Sequence, residues 1–318
     1  MTQTPIAYIV FNRPRHTERT FAALRGRRPA RLYIIADGPR LGHPFDAERC
    51  AEVRAIVEQV DWPCEVHRDY ADSNLGCKRR VSSGLDWVFG QVERAIVLED
   101  DCLPHPSFFT FCDTLLERYA GDERVWAVTG NNFQNGRRRG DAAYYFSKFN
   151  HVWGWATWRR AWQQYRGDVP FWPDWQHSAD WREKTPDTVE RRYWGAIFDR
   201  VRADQIDTWD YPWTASVWYH GGLTATPNVN LVTNIGFGPD ATHTYVTDEC
   251  EGLPVQPLGV ITHPRVVEQD RRADRYVFDH AFGGVHQRLH RRVLGLPRRI
   301  AGRLIRTLRH AGLLRPVE

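Results

Sequence analysis

The sequence predicts an α/β protein whose mostly parallel, Rossmann-like central sheet carries helices on both faces. Three observations lead there. Over roughly the first 130 residues, short apolar runs of strand length alternate with runs of helical spacing. Several of the short runs are continuously apolar, as suits strands buried on both faces of a parallel sheet. Turn-forming residues, among them Asn, Asp, Gly and Pro, punctuate the joins.

In chain order, IAYIVF (6–11) reads as a central strand and RHTERTFAAL (15–24) as a helix. RLYIIAD (31–37) is a second strand, closed by the turn DGPR, and residues 46–60 space Ala, Val and Ile as a helix does. CEVHRD (64–69) is a weaker strand and residues 81–92 a further helix. RAIVLED (94–100), a helix over 107–120 and VWAVTG (125–130) complete a βαβαβαβαβ order, which implies crossovers covering both faces. After Asn132 the alternation stops. Residues 144–220 are crowded with tryptophan around one clear helical pattern at 189–203, and residues 221–245 read as irregular. The expected division is a body over 1–280, with halves at 1–132 and 133–280, and a basic tail over 281–318.

The chain has 318 residues, 42% hydrophobic and 26% charged, enough for one large or two smaller domains. Its net charge of +4 comes almost wholly from arginine, since lysine occurs only at Lys78, Lys148 and Lys184. Arginine suits phosphate recognition, although a biased genome composition gives the same result. The excess is concentrated near the C-terminus, which argues against nucleic-acid binding. Six cysteines without a CxxC pair fit reduced thiols in a cytoplasmic protein better than a zinc site or a disulfide framework. The N-terminal MTQTPIAYIVFNRPRHTERT reads as a first strand and not as a signal peptide, and no run of about 20 apolar residues is present. In the tail, Leu294, Ile300, Leu304, Ile305 and Leu308 share a helical face and Arg298, Arg299, Arg303, Arg306 and Arg309 supply much of another. Such a helix either lies on the inner face of an anionic membrane or docks on the domain with its arginines solvated.

One stretch demands explanation. In RAIVLEDDCLPHPSFF (94–109), an apolar strand ends in three mutually repelling acids, Glu99, Asp100 and Asp101. Ligands of open parallel sheets bind beyond the carboxyl ends of the strands. Magnesium and manganese take one or two carboxylates together with substrate phosphates, so a cation and a diphosphate would relieve the repulsion. A solvated acidic turn, or a cap for the following helix, is the plainer alternative. Asp37 ends the second strand on the same rim, and Asn12 and Arg13 end the first. Each alone is ordinary turn chemistry, but together they suggest a nucleotide pocket.

These residues resemble a known family. FNRP (11–14), DGPR (37–40), NLG (74–76) and VLEDDCLPHPSFF (97–109) look like nucleotide-sugar glycosyltransferases of the GT-A fold. The likeness is to bacterial family 2-like members and to N-acetylglucosaminyltransferase I, and it spans about residues 5–245. The acids resemble the DXD element in its Glu-Asp-Asp form. The resemblance implies that Asp101 binds Mn2+ or Mg2+ bridging the donor diphosphate. Glu99 and Asp100 would contact the donor ribose or sugar, or position Asp101. Asp37 would read the base, with Asn12 and Arg13 lining that pocket and Asn74 and Gly76 in a loop near the nucleotide.

Glycosyl transfer also needs a base for the acceptor hydroxyl. IDTWDYPW (206–213) offers Asp210 between Trp209 and Trp213, whose rings would raise its pKa and stack on an acceptor sugar; Asp207 is the nearby rival. The resemblance likewise implies a base in a Trp-Asp element, and a sugar platform from Trp153 and Trp155, unless these rings are core. In NIGFGPDATHT (234–244), His243 is a candidate metal or phosphate ligand, unless it is a loop residue.

The expectation is therefore a metal-dependent, inverting hexosyl- or N-acetylhexosaminyltransferase that uses a nucleotide-diphosphate sugar, UDP-linked by default, and a glycan or lipid-linked acceptor. A sugar-nucleotide nucleotidyltransferase is weakened because FNRPRHTERT, after the first strand, has no glycine. A non-catalytic carbohydrate-binding protein would account for the tryptophans but not for acids at strand ends.

Overall fold

The computed structural model describes residues 3–237 and 252–288, together with residues 304, 305, 307, 308 and 311. The chain runs β1 (Ile6–Val10), α1 (Pro14–Arg27), β2 (Arg31–Ala36), α2 (Asp46–Val57), β3 (Glu65–Tyr70), α3 (Cys77–Gln91), β4 (Arg94–Glu99), β5 (Cys102–Pro104) and α4 (Pro106–Arg118). It continues through β6 (Val125–Thr129), β7 (Tyr144–Ser147), β8 (Trp155–Trp158), α5 (Arg159–Trp162), α6 (Trp172–Trp175) and α7 (Ala179–Lys184). The last elements are α8 (Thr188–Arg202), α9 (Asp210–Tyr219), β9 (Leu223–Pro227), β10 (Val232–Asn234) and α10 (Arg271–His280).

Eight strands form one sheet in the order β3-β2-β1-β4-β8-β6-β9-β7. β1 pairs in parallel with β2 on one side and β4 on the other, and β2 pairs in parallel with β3. The chain thus winds outward from β1 to β3 and returns across β1 to β4, which places the switch in winding direction at the β1/β4 junction. Register seals this geometry, because Ile9 lies opposite Glu99. The residues just past both strands, Arg13 and the acidic triplet, must therefore meet.

The expected α/β architecture is present, with one substantive difference. The strand at 125–129 does not adjoin β4. The Trp-rich segment supplies β8, which runs antiparallel to both β4 and β6, and β7, which runs antiparallel to β9 at the sheet edge. Residues 221–245, expected to be irregular, contain β9, buried at every position, and β10, which pairs with β5 directly after the triplet. These strands are only three to five residues long, too short for periodicity to identify.

Alternate residues of β1 feed two cores. Ile6, Tyr8 and Val10 pack with Phe21 and Leu24 of α1 and with Val53 and Ile56 of α2. Ala7 and Ile9 face the other core, where Val81, Leu85 and Val88 of α3 join most of the tryptophans. Of the 14 tryptophans, all but Trp87 and Trp153 are buried. The Trp-rich half is thus first of all a core. The segment after α10, assigned from sequence to the tail, continues to pack on the body: Phe282 lies against Phe149 and Trp194, and Arg288 pairs with Asp187 and Asp279.

Candidate functional site

A cavity of about 680 Å³ opens at the carboxyl ends of β1, β2 and β4. On the triplet side, Arg13 grips Asp100 through Nη2 and Asp101 through Nη1, the latter at 2.9 Å. Asp100 is 2% exposed, and its Oδ2 also accepts from the Phe11 amide at 3.3 Å. Burial raises the Asp100 pKa above the ordinary carboxylate value against the pull of Arg13. Glu99 faces the cavity with no hydrogen-bond or ion-pair partner among the described residues. Burial and the neighbouring Asp101 charge push it up to about 8.

β10 closes over this cluster. The Ile235 amide donates to the Asp101 carbonyl at 2.8 Å, and the Gly236 amide donates to Asn234 Oδ1 at 2.7 Å. A Cβ at Gly236 would collide with the Asp101 carboxylate and crowd Arg13, so glycine is required there for close approach.

The β2 end is a second polar unit. Asp37 Oδ1 accepts from the amides of Gly38 (2.8 Å) and Leu75 (2.9 Å), and its Oδ2 accepts from Asn74 Nδ2 at 2.9 Å. Burial nonetheless raises its pKa. Gly76, at φ 81°, lies in the left-handed region and precedes α3, and a Cβ there would come 2.9 Å from Asp207 Oδ2. Asp207 Oδ1 accepts from the Lys78 amide at 3.2 Å, so the rival base is engaged at the start of α3. Asp210 begins α9 and also lines the cavity. Its Oδ1 accepts from Thr208 Oγ1 and from the Tyr211 amide at 2.9 Å. These donors fix the orientation of the carboxylate at the start of α9.

The remaining wall is aromatic. His151 lies 4.5 Å from Phe133 and 5.9 Å from Phe149 between ring centres, and burial lowers its pKa to about 3. Trp153, Tyr193, Tyr211 and Phe282 complete this side.

The structure brings Arg13, Asp37, Asn74, Gly76, Glu99, Asp100, Asp101, Trp153, Trp209 and Asp210 to one cavity. Two expected residues lie elsewhere. Asn12 does not line the cavity, because its amide is held by Asp46 Oδ1 at 2.7 Å. Trp155 is 1% exposed and stacked on Trp209 at 5.5 Å, which makes it core and not a sugar platform. Trp209 itself is 2% exposed, so little of its ring is open to the cavity. Trp213 is fully buried and does not line the cavity beside Asp210. His243 lies outside the described residues.

Two cavity residues escaped the sequence reading. Arg80 is 4% exposed on the otherwise apolar face of α3 and pairs with Asp69; a charge within that apolar stripe was the available signal. Asn150 is 5% exposed in the cavity wall, and neither Nδ2 nor Oδ1 finds a partner in the protein. Nothing in the surrounding pattern marks it.

The donor set suits a hard divalent cation. Arg13 neutralises only part of this acidic cluster, and a bound cation would favour the ionised form of Glu99 that burial and Asp101 otherwise oppose. Among the described residues, no three acidic, histidine or cysteine side chains converge to hold a metal by themselves. Mg2+ and Mn2+ rarely require that, since phosphates and water complete their octahedra.

No protein-family model matches the chain, and no curated protein does. Solved structures that resemble it include the mannosyltransferase PcManGT of Pyrobaculum calidifontis in complex with GDP-Man and Mn2+. That match has 11% identity and a TM-score of 0.39, covering 69% of this chain and 70% of the other. Mouse xyloside xylosyltransferase 1 matches at 10% identity and TM-score 0.35, covering 70% and 84%. CMP:2-keto-3-deoxy-manno-octonic acid synthetase complexed with CTP matches at 13% identity and TM-score 0.36, covering 75% and 94%.

Proposed function

We propose that the protein is a metal-dependent, inverting GT-A glycosyltransferase. It would transfer a hexosyl or N-acetylhexosaminyl group from a nucleotide-diphosphate sugar, UDP-linked by default, to a glycan or lipid-linked hydroxyl. The observation that carries this reading is the cavity itself. An acidic strand end with charge to spare, an Asp37-centred polar unit and a carboxylate at a helix start share its wall with an aromatic face.

In this reading Asp37, Asn74 and Gly76 form the nucleoside end, with Arg80 as the nearby buried cation. Asp101, with Glu99 beside it, would hold Mn2+ or Mg2+, whose positive charge would offset that of a departing diphosphate, and Arg13 fixes Asp100 and Asp101. Asp210 takes the proton of the acceptor hydroxyl as its oxygen bonds to the anomeric carbon and the nucleoside diphosphate leaves with the bonding pair. A single displacement of this kind inverts the anomeric centre. Trp153 offers its partly exposed ring to a sugar face. The product is a nucleoside diphosphate; release of pyrophosphate would indicate nucleotidyl transfer.

The test is thermal stability against UDP-, GDP- and CMP-sugars, with and without Mn2+, for the wild type and Asp101→Asn. One nucleotide should raise Tm by several degrees only with metal, and the variant should lose that response. If no nucleotide moves Tm under either condition, the donor-site reading fails.

A further inference from the structure

The exposed face of α10 and the loop over residues 135–140 gather cationic side chains around one ring. The Arg137 guanidinium lies 4.5 Å from the centre of the Tyr276 ring, and that of Arg139 lies 5.6 Å from it. Arg272 stands one turn before Tyr276 on the same helix, and His280 one turn after, its ring centre 4.1 Å away. Arg271 and Arg275 extend the exposed row.

Local acids satisfy only part of this charge. Arg271 pairs with Glu183 at 3.5 Å and Arg275 with Asp279 at 3.8 Å. Arg139 Nε donates to Gln134 Oε1, and Arg138 Nη2 donates to the carbonyls of Asp141 and Ala142. Among the described residues, no carboxylate pairs with Arg137 or Arg272. Like charges so close repel unless an anion joins them. The framework beneath is firmly held. The Asp270 amide donates to the Phe146 carbonyl at 2.8 Å, and buried Asp274 accepts from Ser147 Oγ at 2.5 Å and the Lys148 amide at 3.2 Å. Arg271, Arg272 and Arg275 also border a recess of about 390 Å³ that includes Lys184.

We propose that this face docks on an anionic lipid membrane. Lipid is favoured over a soluble polyanion because the chain after α10 interleaves Leu294, Ile300, Leu304, Ile305 and Leu308 with arginines. An anionic membrane interface accommodates both kinds of side chain at once, which a soluble polyanion does not. Leu304 is 41% exposed and Val285 is 38% exposed, so large apolar groups are available. α10, ten residues and thus about 15 Å long, runs from the arginine row to Phe282 in the wall of the large cavity. Docking would therefore hold that cavity close to the headgroups. The proposal does not depend on the chemistry assigned to the cavity.

The test is co-sedimentation of the full chain with phosphatidylcholine vesicles, with and without 30% phosphatidylglycerol, at about 0.1 M salt. The triple variant Arg137→Gln/Arg272→Gln/Arg275→Gln is compared with the corresponding triple Lys variant, and their melting curves verify folding. The wild type should bind only the anionic vesicles, and binding should weaken as salt rises. At roughly five-fold per cation near the surface, the Gln variant should lose on the order of a hundred-fold in partitioning while the Lys variant retains it. Equal binding by the Gln variant would overturn the proposal by leaving the tail alone responsible. So would absence of wild-type binding, or retention on polyglutamate as tight as on vesicles of equal charge.

Discussion

The two halves that meet at the cavity are built on opposite logic. At the ends of β1, β2 and β4, polar side chains serve one another: Arg13 holds two acids, and Asp37 holds the loop at 74–76. In the Trp-rich half the rings hold one another, and little of that polar pairing faces the cavity. The first half is poised for charge. The second provides a mainly aromatic wall, interrupted by Asp210 with its Thr208 and Tyr211 donors and by Asn150, whose amide has no partner within the protein. Polar residues at strand ends therefore carry more information about function than the more conspicuous tryptophans.

The largest effect should separate core rings from surface rings. Trp155→Ala removes a fully packed side chain that touches Trp162, Trp209 and Trp213. It should cost about 3–5 kcal/mol. Trp153→Ala removes a partly exposed ring whose contacts include Phe133 and Phe237, and should cost about 1 kcal/mol. Thermal and urea unfolding followed by near-UV circular dichroism would measure both. Equal losses would mean that the two rings do the same structural work and that Trp153 has no claim as a platform.

A smaller effect separates two asparagines that border the same cavity. Asn131 is satisfied, donating to the Val232 carbonyl at 3.3 Å and accepting from the Trp153 amide at 3.1 Å. Asn131→Ala should destabilise by about 1–3 kcal/mol, since both partners lose their bond in a buried place. Asn150→Ala removes an amide without protein partners and should leave Tm unchanged or raise it. A drop in Tm matching that of Asn131→Ala would show that the Asn150 amide is satisfied in solution and has nothing to offer a ligand.

How much of this was legible in the sequence follows the same division. β1, β2 and β4 are continuous apolar runs ending in polar residues, so their existence, parallel pairing and shared rim could all be read from the chain. The meeting of Arg13 with Asp100 and Asp101 could not, because it depends on the register of Ile9 with Glu99. β7, β8, β9 and β10 were invisible for a physical reason. Each is short, and β7 and β9 are buried at every position, so no alternation distinguishes them from other apolar segments. Trp155 misled because a tryptophan motif carries the same letters whether its rings face a ligand or a core. Asn12 misled because a strand-end amide can turn toward its own protein, here to Asp46.

The smallest effect is one of acid sensitivity, and it distinguishes the halves by pH window. On the aromatic side, burial among Phe133, Phe149 and Phe282 lowers the His151 pKa to about 3. The unfolded chain takes up that proton near pH 6.5 and the folded chain resists it, so stability falls as pH drops from about 6.5 toward 3. On the polar side, hydrogen bonds from Arg40 hold Asp46 down to about 2. Its contribution is complete above about pH 4 and is lost only as pH falls toward 2. His151→Phe should therefore remove a loss on the order of 1–2 kcal/mol at pH 5 while leaving the steeper fall below pH 4 in place, and Asp46→Asn should do the reverse. Unfolding free energies measured from pH 7.5 to about 2 would test this. If His151→Phe leaves the profile between pH 6.5 and 4 unchanged, the ring is hydrated in solution and the aromatic wall is wetter than its packing implies.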